Sequence, residues 1–238
     1  GRSSGAERSR RGHWRSPLDR VGRVGQVTAL RAARAGALEL EVEGRVVCTM
    51  SSSLAAELQL QVGAELDGAA LNEVCRRAAL EAATAQALGL LKRRARSRFE
   101  LVGRLRAQGH NDSVVEEVVT RLSTSGLVDD ADFARRYAAD KHTLNGWGVV
   151  RIRRGLSALG VEEELIVAAL AERGLDDLDR EVERAVTILL RKGAEEASSD
   201  AAQRRAYQLL LRRGFSSEVA LAAVRRWRGH TADGAQPN

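Results

Sequence analysis

The sequence has few of the residues that interrupt helices or build large aromatic cores. Among its 238 residues are only 2 Pro, 2 Cys, 3 Trp, 2 Tyr and 3 Phe. Scarce proline with abundant Ala, Leu, Arg and Glu is typical of helical proteins. No run approaches the ~18 consecutive apolar residues that span a membrane, and no apolar signal-peptide core stands near the start. We therefore expect a mainly helical cytoplasmic protein without a membrane span.

Patterns for catalysis and metal binding are also missing. Cys48 and Cys75 are widely separated and have no second pair beside them, which fits neither a zinc-ligand spacing nor a disulfide framework. The four histidines are scattered along the chain: His13, His110, His142 and His230. There is no P-loop, dinucleotide-binding glycine pattern, nucleophile elbow or HExxH motif. We expect no catalytic residues, no metal and no cofactor, and so no enzyme.

The net charge of +6 is concentrated at the start of the chain. Residues 1–23 hold seven Arg and two acidic residues, whereas the rest of the chain is almost balanced, with 31 basic and 30 acidic side chains. This Gly/Ser/Arg-rich leader is predicted to be disordered, either as a solvated tail or as a tail that binds DNA. The nearly neutral body is unlike a uniformly basic nucleic-acid-binding protein.

Alternating apolar residues predict a small β module at 24–66. The runs 37–42 and 45–50 alternate with a period of two around a Glu-Gly turn, which is the pattern of a hairpin. Residues 24–30 are expected to add a third strand. Residues 53–61 are predicted as a short helix.

A repeat dominates the helical part of the chain. Each copy has a Leu four residues before a Gly, at the pairs Leu105/Gly109, Leu156/Gly160 and Leu210/Gly214. Five residues after each Gly comes Val114, Leu165 or Val219, and ten after it Val119, Leu170 or Val224. The intervals between successive glycines are nearly equal. Since Gly ends helices by adopting positive φ, each copy contains a helix–turn–helix, and one more helix precedes it.

We therefore predict a mainly α fold of three tandem three-helix repeats, forming an elongated curved array after a small β-hairpin module. The predicted divisions are a disordered leader (1–23), the β module with its short helix (24–66), repeat 1 (67–125), repeat 2 (126–175), repeat 3 (176–229) and a disordered tail (230–238).

Polar residues mark several predicted helix starts. Ser97 with Glu100 and Ser113 with Glu116 have the spacing of capping boxes. Three acidic residues within 129–132 could suggest metal or acid–base chemistry, but Asp at a helix start is the usual cap. We interpret them as capping residues.

Two basic segments are candidates for binding a partner. Residues 92–106 carry seven basic side chains against the single acid Glu100, a density that weakens a helix unless a partner neutralises it. In the predicted helix 147–159, an apolar stripe of Val149, Ile152, Leu156 and Leu159 leaves three arginines outside the stripe. The candidate partner-binding residues are Arg94, Arg96, Arg98, Arg104, Arg151, Arg153, Arg154 and Trp147.

Each candidate also has a purely structural interpretation. The helix 147–159 can be a core helix with a solvated back, and Trp147 can be a hydrophobic staple rather than a residue for base stacking or an interface anchor. The partner could be phosphate or an acidic protein surface. Arg151 and Arg154 are expected to point outward.

Several segments resemble the RecX family, bacterial regulators of the recombinase RecA. Residues 94–101, RARSRFEL, resemble R-x-R-S-x-x-E-L. Residues 126–137, GLVDDADFARRY, resemble G-[LY]-[LIV]-[DN]-D-x-x-[FY]-A-x-x-[YFW], and 146–152, GWGVVRI, resemble G-x-G-x-x-[RK]-[IL]. The third copy, ending RRGF at 212–215, also fits. The resemblance spans roughly 69–228 and does not include the Arg-rich leader.

The resemblance implies a non-enzymatic regulator of recombination and DNA repair. Such a protein binds in the helical groove of RecA filaments on single-stranded DNA, blocks filament extension, and suppresses ATP hydrolysis, strand exchange and coprotease activity. Direct DNA contact is a further expectation, and a monomer is the simplest oligomeric state. Two alternatives stay open: a general DNA-binding helical protein, and a helical scaffold for another partner.

Overall fold

The computed structural model describes residues 24–191 and 199–233, which contain ten α-helices and one four-stranded sheet. The chain divides into two compact units inside its longest helix, between Gln86 and Ala87. The mainly helical fold with three-helix domains and a small N-terminal sheet is confirmed. The Arg-rich leader lies outside the described residues.

The first unit is the β module with the beginning of the long helix. Its elements are β1 (Gly25–Ala32), β2 (Ala37–Val42), β3 (Arg45–Ser51), α1 (Ser52–Glu57), β4 (Glu65–Leu66) and α2 (Gly68–Arg93), and α2 continues into the second unit. The strands pair antiparallel in the order β3-β2-β1-β4.

The predicted hairpin and third strand are confirmed. Glu43 and Gly44 both have positive φ, 51° and 71°, as the tight turn between two twisted strands requires. The fourth strand was not predicted, because two residues are too few to show alternation. The short helix is offset from its prediction, since α1 begins at Ser52 and ends at Glu57.

The module's core lies between the sheet and α2. Its buried residues include Leu40 and Met50 from the sheet and Val74 and Ala78 from α2. The carboxylate of Glu81 in α2 accepts hydrogen bonds from both the backbone N–H and the hydroxyl of Ser51, at 2.8 and 2.5 Å. This contact ties α2 to the point where β3 ends and α1 begins.

Two cysteines that are distant in sequence meet in this module. The Sγ of Cys75 in α2 lies 4.0 Å from the carbonyl oxygen of Val47 in β3. A hydrogen bond between the thiols raises the pKa of Cys48 and lowers that of Cys75. Both cysteines are free thiols.

Eight further helices complete the described part of the second unit. They are α3 (Arg98–Ala107), α4 (Asp112–Thr124), α5 (Asp130–Thr143), α6 (Val149–Ala158), α7 (Glu163–Ala171), α8 (Leu178–Leu190), α9 (Asp200–Arg213) and α10 (Ser217–Asp233). We call α2–α4, α5–α7 and α8–α10 the first, second and third repeats. Helix α10 extends four residues into the segment that was predicted as a tail.

The repeat positions behave alike in all three copies. Leu105, Leu156 and Leu210 are fully buried. The glycines four residues later all have positive φ, between 73° and 91°, so each ends its helix in the left-handed conformation. In α6 the predicted stripe is confirmed, since Ile152 and Leu156 are fully buried.

Two serines were predicted to cap helices, and one of them, Ser97, does so. The hydroxyl of Ser97 accepts a hydrogen bond from the backbone N–H of Glu100 at 3.1 Å. The prediction for Ser113 is wrong, because α4 begins at Asp112 and the cap position is occupied by Asn111, two residues before Ser113. Ser113 is therefore an exposed residue of the first turn.

Candidate functional site

Four of the seven basic side chains in the segment 92–106 form ion pairs, two of them with the segment's own Glu100. One side of the Arg94 guanidinium lies 2.5 Å from the carboxylate of Glu100, and Arg96 lies 3.8 Å from the same carboxylate. The hydrogen bond from Arg94 lowers the pKa of Glu100. The Arg96 side chain is only 10% exposed, and burial lowers its pKa. Two of its nitrogens, Nε and Nη1, have no hydrogen-bond partner in the described part of the chain.

The remaining candidates of this segment differ in their surroundings. Arg98 forms an ion pair with Glu116 of α4, and its backbone N–H donates to Asp130 at 2.8 Å. Arg104 is exposed and has no ion-pair partner among residues 24–191 and 199–233. Of the four arginine candidates here, only Arg104 presents an exposed charge that no described carboxylate compensates.

The three candidate arginines of α6 also differ in their surroundings. Arg153 forms an ion pair with Glu163 of α7. Arg154 is exposed, and no described residue forms an ion pair with it. Arg151 is exposed as expected, but its guanidinium carbon lies 4.0 Å from the centre of the Trp147 ring.

Trp147 is part of the packing between the second and third repeats. It is half-buried against the core of the second repeat, and Lys141 lies 5.0 Å from the ring centre, in addition to Arg151. Arg151 also donates to the carbonyl of Arg212 at 3.3 Å. The Trp147 carbonyl accepts a hydrogen bond from Arg184. These contacts account for Trp147 without a partner, and its part in binding stays a prediction.

Successive repeats are joined by equivalent contacts. In the first junction, the hydroxyl of Ser97 donates to the carbonyl of Leu159 at 2.6 Å. In the second, the backbone N–H of Gly148, which occupies the position equivalent to Ser97, donates to the carbonyl of Arg213 at 2.9 Å. Each acceptor immediately precedes a repeat glycine, so the start of one repeat's middle helix lies on the turn of the next repeat.

The repeat glycines at these junctions are closely covered. A Cβ at Gly160 would collide with Phe99, and one at Gly214 would collide with Arg151, including its backbone. A Cβ at Gly109, the glycine of the first repeat, would meet nothing within 4 Å. Gly160 and Gly214 are therefore required by the close approach of the preceding repeat as well as by their backbone conformation.

Carboxylates complete both junctions. Asp130 of α5 accepts from the first N–H of α3, and Glu181 of α8 accepts from the backbone N–H of Val149, the first residue of α6. Burial raises the pKa of both carboxyl groups. The capping interpretation of the acidic residues at 129–132 is supported, since Asp129 caps its own helix and Asp130 caps α3. This pairing is visible in the sequence only as an acidic residue that recurs at the same place in the next repeat.

A buried ionic cluster surrounds Glu181. Arg184 donates to its carboxylate at 2.5 Å, and the ring of His142 lies 3.9 Å from it. Burial and the nearby Arg184 and Arg173 lower the pKa of His142 to about 4. The described residues contain no group of three or more His, Cys, Asp or Glu that could hold a metal ion.

The last two helices, α9 and α10, carry an excess of positive charge. Residues 199–229 hold seven Arg against the two acidic residues Asp200 and Glu218. Within the described ranges, six of these arginines have neither an ion pair nor a side-chain hydrogen bond: Arg204, Arg205, Arg212, Arg213, Arg225 and Arg226. By contrast, ten of the fourteen arginines from Arg94 to Arg184 form ion pairs. Sequence reasoning missed this surface because it searched for dense basic runs rather than for the charge balance of each pair of helices.

Comparison with known proteins identifies the family. Residues 83–122 match the model of the first three-helix domain of RecX, and residues 129–170 match that of the second. The chain is 38% identical over 147 residues to the regulatory protein RecX of Mycobacterium sp. (strain KMS), which covers 60% of this chain and 80% of that protein. The chain belongs to the RecX family.

Other RecX proteins extend this likeness. The regulatory protein RecX of Geobacillus kaustophilus (strain HTA426) is 31% identical over 183 residues, covering 77% of this chain and 68% of that protein. A crystal structure of RecX from Lactobacillus salivarius aligns with a TM-score of 0.56 at 25% identity, covering 63% of this chain and 96% of that one. A crystal structure of regulatory protein RecX, 22% identical, shares the fold with a TM-score of 0.61, covering 84% and 98%. No described helix of this RecX family member is long and apolar enough to cross a membrane.

Proposed function

We propose that this protein regulates homologous recombination and DNA repair by binding RecA filaments on single-stranded DNA. Binding blocks filament extension and lowers ATP hydrolysis, strand exchange and coprotease activity. The observation that carries the proposal is membership of the RecX family, together with the two matched three-helix domains. The action is non-enzymatic, takes place in the cytoplasm and is performed by a monomer.

The repeated architecture suits a repeating partner. Three units of similar construction follow each other, and equivalent positions form the contacts at both junctions between them. A chain of such units can meet several subunits of a filament, and linked weak contacts gain affinity because later contacts form within one complex. This makes filament binding at low protein-to-RecA ratios a direct expectation.

Among the eight candidate residues, Arg104 and Arg154 are best suited to contact the partner. Both are exposed cations that form no ion pair with any described residue, so binding need not break an existing pair. Arg94, Arg98 and Arg153 would first have to leave their carboxylates.

The deciding experiment measures ATP hydrolysis by RecA on single-stranded DNA, with the protein added well below the RecA concentration. Arrest at low ratios supports action on the filament. Inhibition that begins only when the protein suffices to coat the DNA contradicts the proposal, since competition for phosphate would explain it. Order of addition is the control, because a filament blocker still stops extension when RecA has already bound.

A second candidate function is general DNA binding. It is favoured by the uncompensated arginines in the described part of the third repeat. Tight binding to naked DNA with a steep dependence on salt, and no effect on RecA at low ratios, would select this function instead.

A further inference from the structure

The first unit holds both cysteines of the chain, Cys48 in β3 and Cys75 in α2. Cys48 lies opposite Leu40 in the pairing of β3 with β2, and Met50 follows it by two residues. Side chains that are directly opposite, or two residues apart along one strand, lie on the same face of a sheet. Because Leu40 and Met50 are buried in the core between the sheet and α2, Cys48 faces α2.

Cys75 lies on the side of α2 that packs on the sheet. It follows Leu71 by four residues and precedes Ala78 by three, so these residues share one face of the helix. Ala78 is buried in the core of the module, and Leu71 packs against the same core. The Sγ of Cys75 lies 4.0 Å from the carbonyl oxygen of Val47, the neighbour of Cys48. The packing of α2 on the sheet therefore brings the two thiols together.

The two thiols differ in reactivity. The hydrogen bond between them lowers the pKa of Cys75 and raises the pKa of Cys48. A lowered pKa increases the fraction of thiolate, which is the form that reacts with oxidants, whereas Cys48 keeps its proton. Both side chains are half-buried, so a small oxidant has access to them. A reactive thiolate beside a second thiol is the arrangement found at cysteines that are oxidised reversibly.

We propose that Cys48 and Cys75 are a reversible oxidation site, at which hydrogen peroxide converts the two thiols to a disulfide. The Cys75 sulfur attacks one peroxide oxygen and the O–O bond breaks. The leaving hydroxide takes up the proton that the Cys75 thiol released, which gives water and a sulfenic acid. The Cys48 sulfur then attacks the Cys75 sulfur, the S–O bond breaks, and hydroxide leaves with the Cys48 proton as a second water. The two thiols are oxidised by two electrons, and the peroxide is reduced to water.

The disulfide would link β3 covalently to α2. It would reinforce the contact in which Glu81 of α2 accepts hydrogen bonds from Ser51 at the end of β3. A cross-link between distant residues stabilises a fold mainly by restricting the unfolded chain. In a reducing compartment such disulfides are transient, and exchange with a small dithiol restores both thiols while the dithiol becomes a disulfide. Oxidation thus strengthens the attachment of α2 to the sheet for as long as the oxidant persists.

This inference goes beyond the proposed regulation of RecA. It concerns a pair of residues that includes none of the eight predicted to bind a partner. Its test uses the protein alone, so it can fail while the action on RecA filaments stands, and the reverse also holds.

The first test treats the full chain with a slight excess of hydrogen peroxide. We expect both free thiols to disappear together, the intact mass to fall by the two thiol hydrogens, and a non-reduced digest to contain a peptide that joins Cys48 to Cys75. Dithiothreitol should restore both thiols. The oxidised protein should melt about 5–10 °C above the reduced protein. Met50, the one methionine, is buried and should stay unoxidised.

Several results would overturn the proposal. Thiols that persist in peroxide, or that are converted to sulfinic acid without a cross-link, show that the pair does not form a disulfide. A disulfide between two copies of the chain, seen as a dimer on a non-reducing gel, shows that the thiols do not react within one module. A lower melting temperature after oxidation shows that the folded module does not accommodate the bond.

Two matched variants test the roles of the thiols. In Cys48→Ser the Cys75 sulfenic acid has no second thiol to react with, so we expect dimedone to label it at least about tenfold more than in the unaltered protein. Equal labelling would overturn the role of Cys48. Neither Cys48→Ser nor Cys75→Ser should melt at a higher temperature after peroxide treatment, and a rise in either would show that the shift does not come from the disulfide. Circular dichroism melts of the reduced variants confirm that each is folded.

Discussion

The carboxylate of Asp130 accepts a hydrogen bond from the backbone N–H of Arg98, 2.8 Å away, and thereby joins the second repeat to the first. At the equivalent position of the next repeat, Glu181 does the same for Val149 and joins the third repeat to the second. A helix N-terminus has free N–H groups and a partial positive charge, so a carboxylate from the next repeat satisfies both. These two hydrogen bonds fix the first residue of α3 and of α6.

Removing these carboxylates should destabilise the protein to different degrees. Asp130→Ala leaves a backbone N–H without its acceptor, and we expect the free energy of unfolding to fall by about 1–2 kcal/mol. Glu181→Ala also leaves the partly buried Arg184 without its carboxylate, and we expect a fall of about 3–5 kcal/mol. Urea denaturation measures both. Arg121→Ala, which breaks an exposed pair with Glu117, should change stability by less than about 0.5 kcal/mol.

Stability should depend on pH through His142. Its folded pKa is about 4 because of burial and the cations Arg184 and Arg173, whereas its ordinary value is 6.5. The unfolded chain therefore takes up the proton first, so the contribution is complete above pH 6.5 and is lost as the pH falls toward 4. With part of the ring exposed, we expect a loss of about 2 kcal/mol.

The measurement compares urea denaturation of the unaltered protein and His142→Gln at pH 7 and pH 4.5. Both proteins contain Glu181, so its titration contributes to both stability profiles and cancels when one profile is subtracted from the other. Parallel stability profiles in the two proteins would contradict the assignment of the pH dependence to His142.

The three repeat glycines provide a graded test of the junctions. Gly109→Ala imposes only a left-handed alanine, since nothing lies near its Cβ, and should cost about 1–2 kcal/mol. Gly214→Ala adds a collision with the backbone of Arg151, and should cost about 1–3 kcal/mol more. Gly160→Ala should fall between them, because it collides with the Cβ and Cγ of Phe99 but with no backbone atom. Equal melting temperatures for all three variants would refute close docking of the repeats.

Substitutions of Arg151 and Arg154 should have different effects on stability and on RecA inhibition, although both residues are exposed on α6. Arg151→Ala removes the guanidinium above Trp147 and the bond to the Arg212 carbonyl, so we expect a loss of about 1 kcal/mol and a shift in tryptophan emission. Arg154→Glu should leave the melting temperature and the emission unchanged. Under the proposed function it should weaken the arrest of RecA ATP hydrolysis, especially together with Arg104→Glu.

The control for this pair is Arg121→Glu, at an exposed arginine already paired within its own helix. If it weakens the arrest as much as Arg154→Glu, the effect is one of net charge rather than of a specific contact. If Arg154→Glu with Arg104→Glu inhibits RecA as well as the unaltered protein, these arginines do not form the contact surface.

The sequence by itself determined the local structure of this protein. The hairpin, the apolar stripe of α6 and the glycines that end α3, α6 and α9 follow from periodicity and from backbone conformations that neighbouring residues impose. These features recur at nearly fixed intervals, so even the three-helix repeat could be predicted. The start of α4 could not, because Asn111, Asp112 and Ser113 are all acceptable caps and packing selected among them.

Only the tertiary structure decided which charges are free. Arg98 and Glu116, and likewise Arg153 and Glu163, are too far apart in sequence to meet within one helix, yet each pair meets because the two helices pack against each other. A dense run such as 92–106 therefore looked available in sequence although much of it is neutralised. The arginines of the third repeat are more widely spaced, but its described helices bring too few carboxylates within reach, and their charge remains open to an outside anion.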